Sequence, residues 1–259
     1  MLNRTPNLGN KVAAHRYEIS FARSLEEVRE AQRLRYAVFS GEMGARLVGP
    51  EPGVDEDRFD AFCEHLLVRD ARTGEAVGTY RILVPRAARA AGGYYSDQEF
   101  DLSRLRHLAP RMVEVGRSCT HPDYRSGTVI SLLWSALAQY MRAHGYEYLI
   151  GCASISIADG GYAASTIFRE VAAHHLAPPE YRVVPRCRLP IEELHSDVHG
   201  ELPPLVKGYL RIGGYVCGDP AWDPDFHSAD LFVLVPMSRI DPRYLRHFFR
   251  VAHSMAEAA

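Results

Sequence analysis

The sequence predicts a mixed α/β fold built on one central sheet, and three observations carry that prediction. His65 to Val84 reads as two short strands around the turn Arg72-Thr-Gly-Glu75, a β-hairpin pattern. Met112 to Thr120 reads as a strand, and past Gly127 the apolar residues take up helical spacing. The apolar runs Tyr146 to Ala153 and Asp230 to Val235 read as buried strands with a further helical segment between them. Helices and strands alternating in this order call for helices laid on the faces of a mixed sheet.

Taken in chain order, residues 1–16 are polar and aperiodic and are expected to form a flexible arm. A single domain is expected over 17–253, with 254–259 as a tail. Ser24-Leu-Glu-Glu27 has capping-box spacing, and Val28, Ala31, Leu34, Arg35, Val38 and Phe39 then share one face, so a helix is predicted from Leu25 to Phe39. Residues 49–60 are acidic and broken by proline and glycine, the composition of an ordered loop. From Gly127, the residues Ile130, Leu133, Trp134, Leu137, Tyr140 and Met141 mark one face of a strong helix that Gly145 ends. Ala163 to Ala173 is a second helix, and 178–205 a proline- and arginine-rich excursion. Pro242 to Ala252 reads as a basic amphipathic helix carrying Arg243, Arg246, His247 and Arg250.

The chain has 30 basic and 32 acidic residues and a net charge of −2, which gives no global signature of a nucleic-acid binder. Its 5 cysteines are widely spaced with no C-x-x-C pair, against a zinc module or a disulfide framework and in keeping with a reducing cytoplasm. The N-terminus lacks an apolar secretion signal, and no apolar run is long enough to span a bilayer. The expected location is cytoplasmic, with peripheral contact at the inner membrane face left open.

Helix residues Arg33 to Phe39, acidic Asp57 to Asp60, strand Gly78 to Leu83 and strand Val113 to Arg117 come in an order and spacing that resembles the acyl-homoserine-lactone synthases. A fuller resemblance, over about residues 17–250, is to the ornithine acyl carrier protein N-acyltransferases, often labelled hemolysin-like GNAT proteins. It rests on Phe62 to Val68, Gly116 to Arg125, Leu149 to Ile155 and Lys207 to Arg211. This resemblance implies a GNAT-type N-acyltransferase fold and transfer of a 3-hydroxy fatty acyl group to the α-amine of ornithine. It also implies an acyl-phosphopantetheine thioester as donor, on acyl carrier protein or coenzyme A, with no tightly bound cofactor.

Amide formation from a thioester needs a neutral amine beside the carbonyl, a route for its proton and donors aimed at the developing oxyanion. The resemblance points to Glu114 as the base, against the alternative of an internal ion pair with Arg81 or Arg117. It joins Arg81 and Arg117 with Glu114, Arg35, Asp57 and Asp60 in a network that is either catalytic or a scaffold for the N-terminal region. Ser118, Cys119, Arg125, Ser126, Gly127 and Thr128 are the candidates for the donor, since a phosphate suits the N-H groups of a helix N-terminus, although an ordinary turn and cap has the same letters. The motif is abbreviated, with Val129 and Ile130 where small residues would seat a pyrophosphate, which fits a carrier-protein arm. The acidic loop Asp219 to Asp225 is a candidate for the side-chain ammonium of ornithine, against a plain surface turn. The basic terminal helix is a candidate dock for acyl carrier protein or an anionic membrane, against simple packing on the sheet. No histidine or cysteine pattern completes a metal site.

The rival enzymes are a CoA-dependent N-acetyltransferase and a synthase acylating another amino acid. A membrane-active lipid-binding protein is the rival outside enzymes. Glycerolipid acyltransferases, which carry H-x-x-x-x-D, are set aside, and neither H-H-x-x-x-D nor G-x-S-x-G occurs.

Overall fold

The computed structural model describes residues 16–42, 44–47, 49–195, 200–244 and 246. In chain order the elements are β1 (Tyr17–Phe21), α1 (Leu25–Gly41), β2 (Glu64–Asp70), β3 (Ala76–Leu83), α2 (Pro85–Ala90), β4 (Phe100–Asp101), β5 (Met112–Thr120) and α3 (Thr128–Ala143). They continue with β6 (Tyr148–Ser156), α4 (Tyr162–His175), β7 (Val184–Pro185), α5 (Pro204–Arg211), β8 (Tyr215–Val216), β9 (Ala221–Asp223) and β10 (Ser228–Pro236). The expected arm, the tail and most of the basic terminal helix lie outside the described residues.

Eight strands make one sheet in the order β1-β2-β3-β5-β6-β10-β8, with β9 added on β10, while β4 and β7 pair separately. The hairpin of β2 and β3 is antiparallel, and so is every pairing except β5 with β6. That parallel pairing holds only from Met112–Glu114 to Tyr148–Ile150; beyond it both strands run on unpaired to each other, to Thr120 and Ser156. Gly151 sits at the point of parting, where an added Cβ would stand 2.4 Å from the Val115 carbonyl oxygen. A side chain there would force the two strands apart before they diverge.

Alternation along β5 sorts its side chains between the faces. Val113 and Val115 enter a core formed with Leu133 and Leu137 of α3, whereas Met112 joins Ile150 and Phe232 on the other face. Glu114, two residues on from Met112, shares that second face. Helix α1 is capped by Ser24, whose side chain accepts from the Glu27 N-H at 3.2 Å. Its Leu34, Val38 and Phe39 pack on Cys119 of β5. Strand β1 is absent from the sequence expectations because Tyr17, Ile19 and Phe21 give only three alternating positions before the helix cap.

Candidate active site

Where β5 and β6 part, a cavity of about 240 Å³ opens on the second face of the sheet, lined by Glu114, Gly116, Arg117 and Ser118 of β5 on one side and by Cys152, Ser154 and Asp230 on the other. An added Cβ on Gly116 would meet nothing within 4 Å, so glycine keeps this space clear. Between Thr79↔Cys119 and Arg81↔Gly116 the ladder gains one residue on β5, a bulge at Arg117 and Ser118. Arg117 takes φ 52° there, a left-handed conformation that costs a non-glycine residue and turns its side chain across the cavity mouth. Its guanidinium lies 5.0 Å from the Tyr95 ring centroid and 4.5 Å from that of Phe226.

Glu114 is fully buried, and its carboxylate accepts from the N-H of Tyr95 at 2.5 Å and from the N-H and hydroxyl of Ser96 at 2.8 and 2.5 Å. Burial pushes its carboxyl above the usual range, opposed by the Ser96 and Tyr95 hydrogen bonds and by the charge of Arg81. No guanidinium pairs with it among the described residues, which removes the ion-pair alternative and separates Glu114 from the arginine network expected to include it. Three donors on two oxygens leave one acceptor position on Oε2.

The network itself consists of Arg35, Arg81 and Arg117 with Asp55, Asp57 and Asp60. Arg35, wholly buried in α1, donates to both Asp60 oxygens at 2.8 and 2.9 Å and through Nε to Asp55 at 2.8 Å. Arg81 of β3 reaches Asp57 at 2.7 Å and Asp60 at 3.3 Å, and Arg117 lies 3.2 Å from Asp55 and 3.3 Å from Asp57. Three positive and three negative groups cancel, and the loop 49–60 is tied to α1 and the sheet. Asp55 is the member that sequence reasoning missed. The flanking arginines overcome burial and hold the Asp60 carboxyl far below the usual carboxylate range.

At the start of α3, Gly127 takes φ 88° and no side chain caps the first turn. Arg125 points away from that terminus, pairing with Glu42 at 2.7 Å and donating to the Thr120 carbonyl at 3.2 Å. The Ser126 hydroxyl donates to Thr128 Oγ1 at 3.4 Å. Val129 is buried, against Gly78 of β3, so it does not crowd the terminus as its sequence position suggested. Ser118 lines the cavity, whereas the Cys119 thiol is buried against α1 and pushed up to about 12 by that burial. Only the backbone of Cys119 is left to face a donor.

A second charged group occupies the opposite wall. Asp223, Asp230 and Cys152 line it, and Glu99 stands behind them, with single atoms of Glu99, Cys152 and Asp230 within 4.8 Å of one another. The Ser228 hydroxyl donates to Asp230 at 2.8 Å, and Ser96 links the two walls by standing 3.2 Å from the Cys152 sulfur. Both Asp230 and Glu99 are pushed up, chiefly by burial, with neighbouring carboxylates adding to the effect. Of the acidic loop Asp219 to Asp225, the structure brings Asp223 to the cavity and pairs Asp219 with Arg188 at 2.6 Å.

The spacing H-x-x-x-x-D does occur once, at His65 and Asp70, which corrects the sequence reading that set it aside. Both residues lie on β2, and five steps along a strand put them on opposite faces roughly 17 Å apart. His65 Nε2 rests 3.1 Å from the Asp60 carbonyl oxygen and Asp70 accepts from the Tyr124 hydroxyl at 3.1 Å, so they form no acid-base pair.

Residues 34–135 match the model of the acetyltransferase (GNAT) domain. Among solved structures, the CoA-dependent acyl-homoserine lactone synthase BjaI superposes with TM-score 0.52 at 16% identity, over 88% of this chain and 83% of that one. FeeM, an N-acyl amino acid synthase from uncultured soil microbes, gives TM-score 0.52 at 11% identity, over 86% and 91%. These likenesses show the GNAT-type fold. An L-ornithine N(alpha)-acyltransferase of Rhodobacter capsulatus is 36% identical over 247 residues, 90% of this chain and 95% of the relative. A Brucella abortus protein of the same name is 35% identical over 252 residues, 89% of this chain and 88% of its own. With a GNAT sheet parted at β5 and β6 and this identity along nearly its whole length, the chain belongs to the L-ornithine N(alpha)-acyltransferase family.

Proposed function

We propose that this chain transfers a fatty acyl group from a phosphopantetheine thioester on acyl carrier protein to the α-amine of ornithine. The observation that carries the reading is the buried Glu114 carboxyl, held by Tyr95 and Ser96 in the cavity where β5 and β6 part. Ornithine arrives with its α-amine protonated, and attack requires the free base. A carboxylate whose pKa is raised by burial is a better general base than an exposed one, and the free lone pair on Oε2 takes the proton. The amine nitrogen then bonds to the thioester carbonyl carbon. The Arg117–Ser118 bulge, where the ladder to β3 slips its register, supplies the backbone N-H groups for the oxygen that becomes negative in this reading. Collapse breaks the carbon-sulfur bond, the departing pantetheine thiolate takes the second proton that the attacking nitrogen gives up, and Glu114 returns the first to solvent. The uncapped first turn of α3 suits the single phosphate of the arm.

The donor assignment to a carrier protein, and any contact with the inner membrane face, rest on the sequence resemblance. Incubating purified protein with radiolabelled ornithine and either 3-hydroxyacyl carrier protein or the matching acyl-CoA, then extracting lipid, tests the reading. A labelled amide from the carrier-protein arm is expected. No amide from either donor across a panel of amino acids would overturn it, and product from acyl-CoA alone would reassign the donor.

A further inference from the structure

The acidic wall of the cavity has no counter-charge. Glu99, Asp223 and Asp230 make no ion pair with an arginine, lysine or histidine among the described residues, unlike the aspartates of the network a short distance away. Both Glu99 carboxylate oxygens are buried and receive no hydrogen bond from any N-H or O-H donor among those residues. Their polar neighbours are the Asp230 carboxyl and the Cys152 thiol. Uncompensated carboxylates in a desolvated site are costly, and a positively charged group from outside removes the cost. Serine donors to Asp230 occupy only part of its acceptor capacity.

From this geometry we infer that Glu99, Asp223 and Asp230 bind the side-chain ammonium of the amino-acid acceptor and set its identity as a diamino acid. The inference rests on the proposed reaction at Glu114 and adds the second anchor of the same substrate. The side chains lie within reach of one substrate. Ser96 Oγ stands 2.5 Å from Glu114 Oε1 and 3.2 Å from Cys152 Sγ, which is within 4.8 Å of carboxylate oxygens of Glu99 and Asp230, so these oxygens are at most about 10.5 Å from Glu114 Oε1. Five bonds of about 1.5 Å join the two nitrogens of ornithine, roughly 6 Å when extended, and with a hydrogen bond of about 2.8 Å at each end the substrate reaches up to about 12 Å. One short segment sets both anchors: the turn Tyr95–Gln98 holds Glu114 at its N-terminal end and is capped by Glu99 at the other. The bound substrate is therefore oriented with its α-amine toward the thioester and its side-chain nitrogen kept away from it, which directs acylation to one of two chemically similar amines.

The test compares L-ornithine with L-norvaline, the same carbon skeleton without the side-chain amine, and with L-2,4-diaminobutyrate and L-lysine, one methylene shorter and longer. Acylation rates are measured for the wild type and for Glu99→Gln, Asp223→Asn and Asp230→Asn. Wild-type kcat/KM for ornithine should exceed that for norvaline by about a hundredfold or more, because a buried polar site rejects an analogue that leaves it unpaired. The ornithine-to-norvaline ratio should fall at least about tenfold in Asp230→Asn, mainly through KM for ornithine. Equal wild-type use of norvaline and ornithine overturns the inference without any variant. An unchanged ratio in all three variants, with ornithine still preferred, overturns it too while the reaction at Glu114 stands. Activity lost to a chelator and restored by added Mg²⁺ or Zn²⁺ overturns it in favour of a metal held by Glu99, Cys152 and Asp230. A wild type that makes no amide from ornithine overturns the underlying reading, and the inference with it.

Discussion

Two groups of charge flank one cavity, Arg81 and Arg117 lining it from the first and Asp223 and Asp230 from the second, and they are built on opposite terms. On one wall Arg35, Arg81 and Arg117 balance Asp55, Asp57 and Asp60, each carboxylate in contact with at least one guanidinium. On the other wall Glu99, Asp223 and Asp230 have hydroxyl, thiol and backbone partners, Glu99 and Asp230 also face each other, and no guanidinium reaches them among the described residues. Balanced charge, complete among these residues, ties the loop 49–60 and helix α1 to β3 and β5, the arrangement expected of a scaffold. Unbalanced charge of one sign is unfinished and marks where something of the opposite sign belongs. Glu114 lies between the two, neither paired with an arginine among the described residues nor part of the acidic cluster, which agrees with the proposed role as base.

The largest effect is expected from Arg35→Ala, which leaves Asp60 and Asp55 buried without their main partner. Removing one member of a buried ionic network costs roughly 3–5 kcal/mol, to be read from urea unfolding at neutral pH. Next, Glu114→Gln keeps the shape and removes the base, but turns an amide NH2 toward the N-H of Tyr95 or Ser96. The acylation rate at saturating substrates should drop roughly a hundredfold or more, about 2.7 kcal/mol of barrier, with a loss of stability of about 1–3 kcal/mol. Unchanged turnover would take Glu114 out of the chemistry. Gly116→Val should lower kcat/KM for the acyl donor about tenfold or more by filling space that glycine keeps open, while the melting temperature moves little. On the pH axis, Asp60 has a depressed folded pKa. Its contribution is present above the unfolded carboxylate value of about 4 and is lost as pH falls through the lower folded value, so acid unfolding should begin below about pH 4 and be blunted in Asp60→Asn.

Much of this architecture was legible in the sequence. The hairpin, β5, α3 with its glycine stop, and β6 follow from periodicity and turn residues. Arg35, Arg81, Arg117, Asp57 and Asp60 meet as expected. Of the acidic wall, Asp223 was within the loop Asp219 to Asp225 singled out in the sequence, whereas its meeting with Glu99 and Asp230 was hidden, because it joins distant segments that no local spacing announces. A further signal was present: Asp230 is a carboxylate inside Ser228–Pro236, a strand buried along its whole length. A lone charge in such a strand needs either a partner or a ligand. The Glu114 contacts were equally out of reach, since two of the three come from the backbone N-H groups of Tyr95 and Ser96, which carry no residue code, and the third from the Ser96 hydroxyl 18 residues away.

Unfolding of Asp60→Asn and Asp230→Asn, measured side by side in urea at pH 8, tests the contrast most directly. The Asp230 carboxyl has a raised folded pKa, so its contribution is full below about pH 4 and is lost as pH rises through the folded value. Replacing it with a neutral isostere should therefore raise stability by about 1 kcal/mol, more at pH 8 than at pH 5, in the free enzyme. Asp60→Asn should lower stability by several times that amount, about 3 kcal/mol. Opposite signs are the predicted result; a comparable loss of stability in both variants would contradict the division into scaffold and receptor.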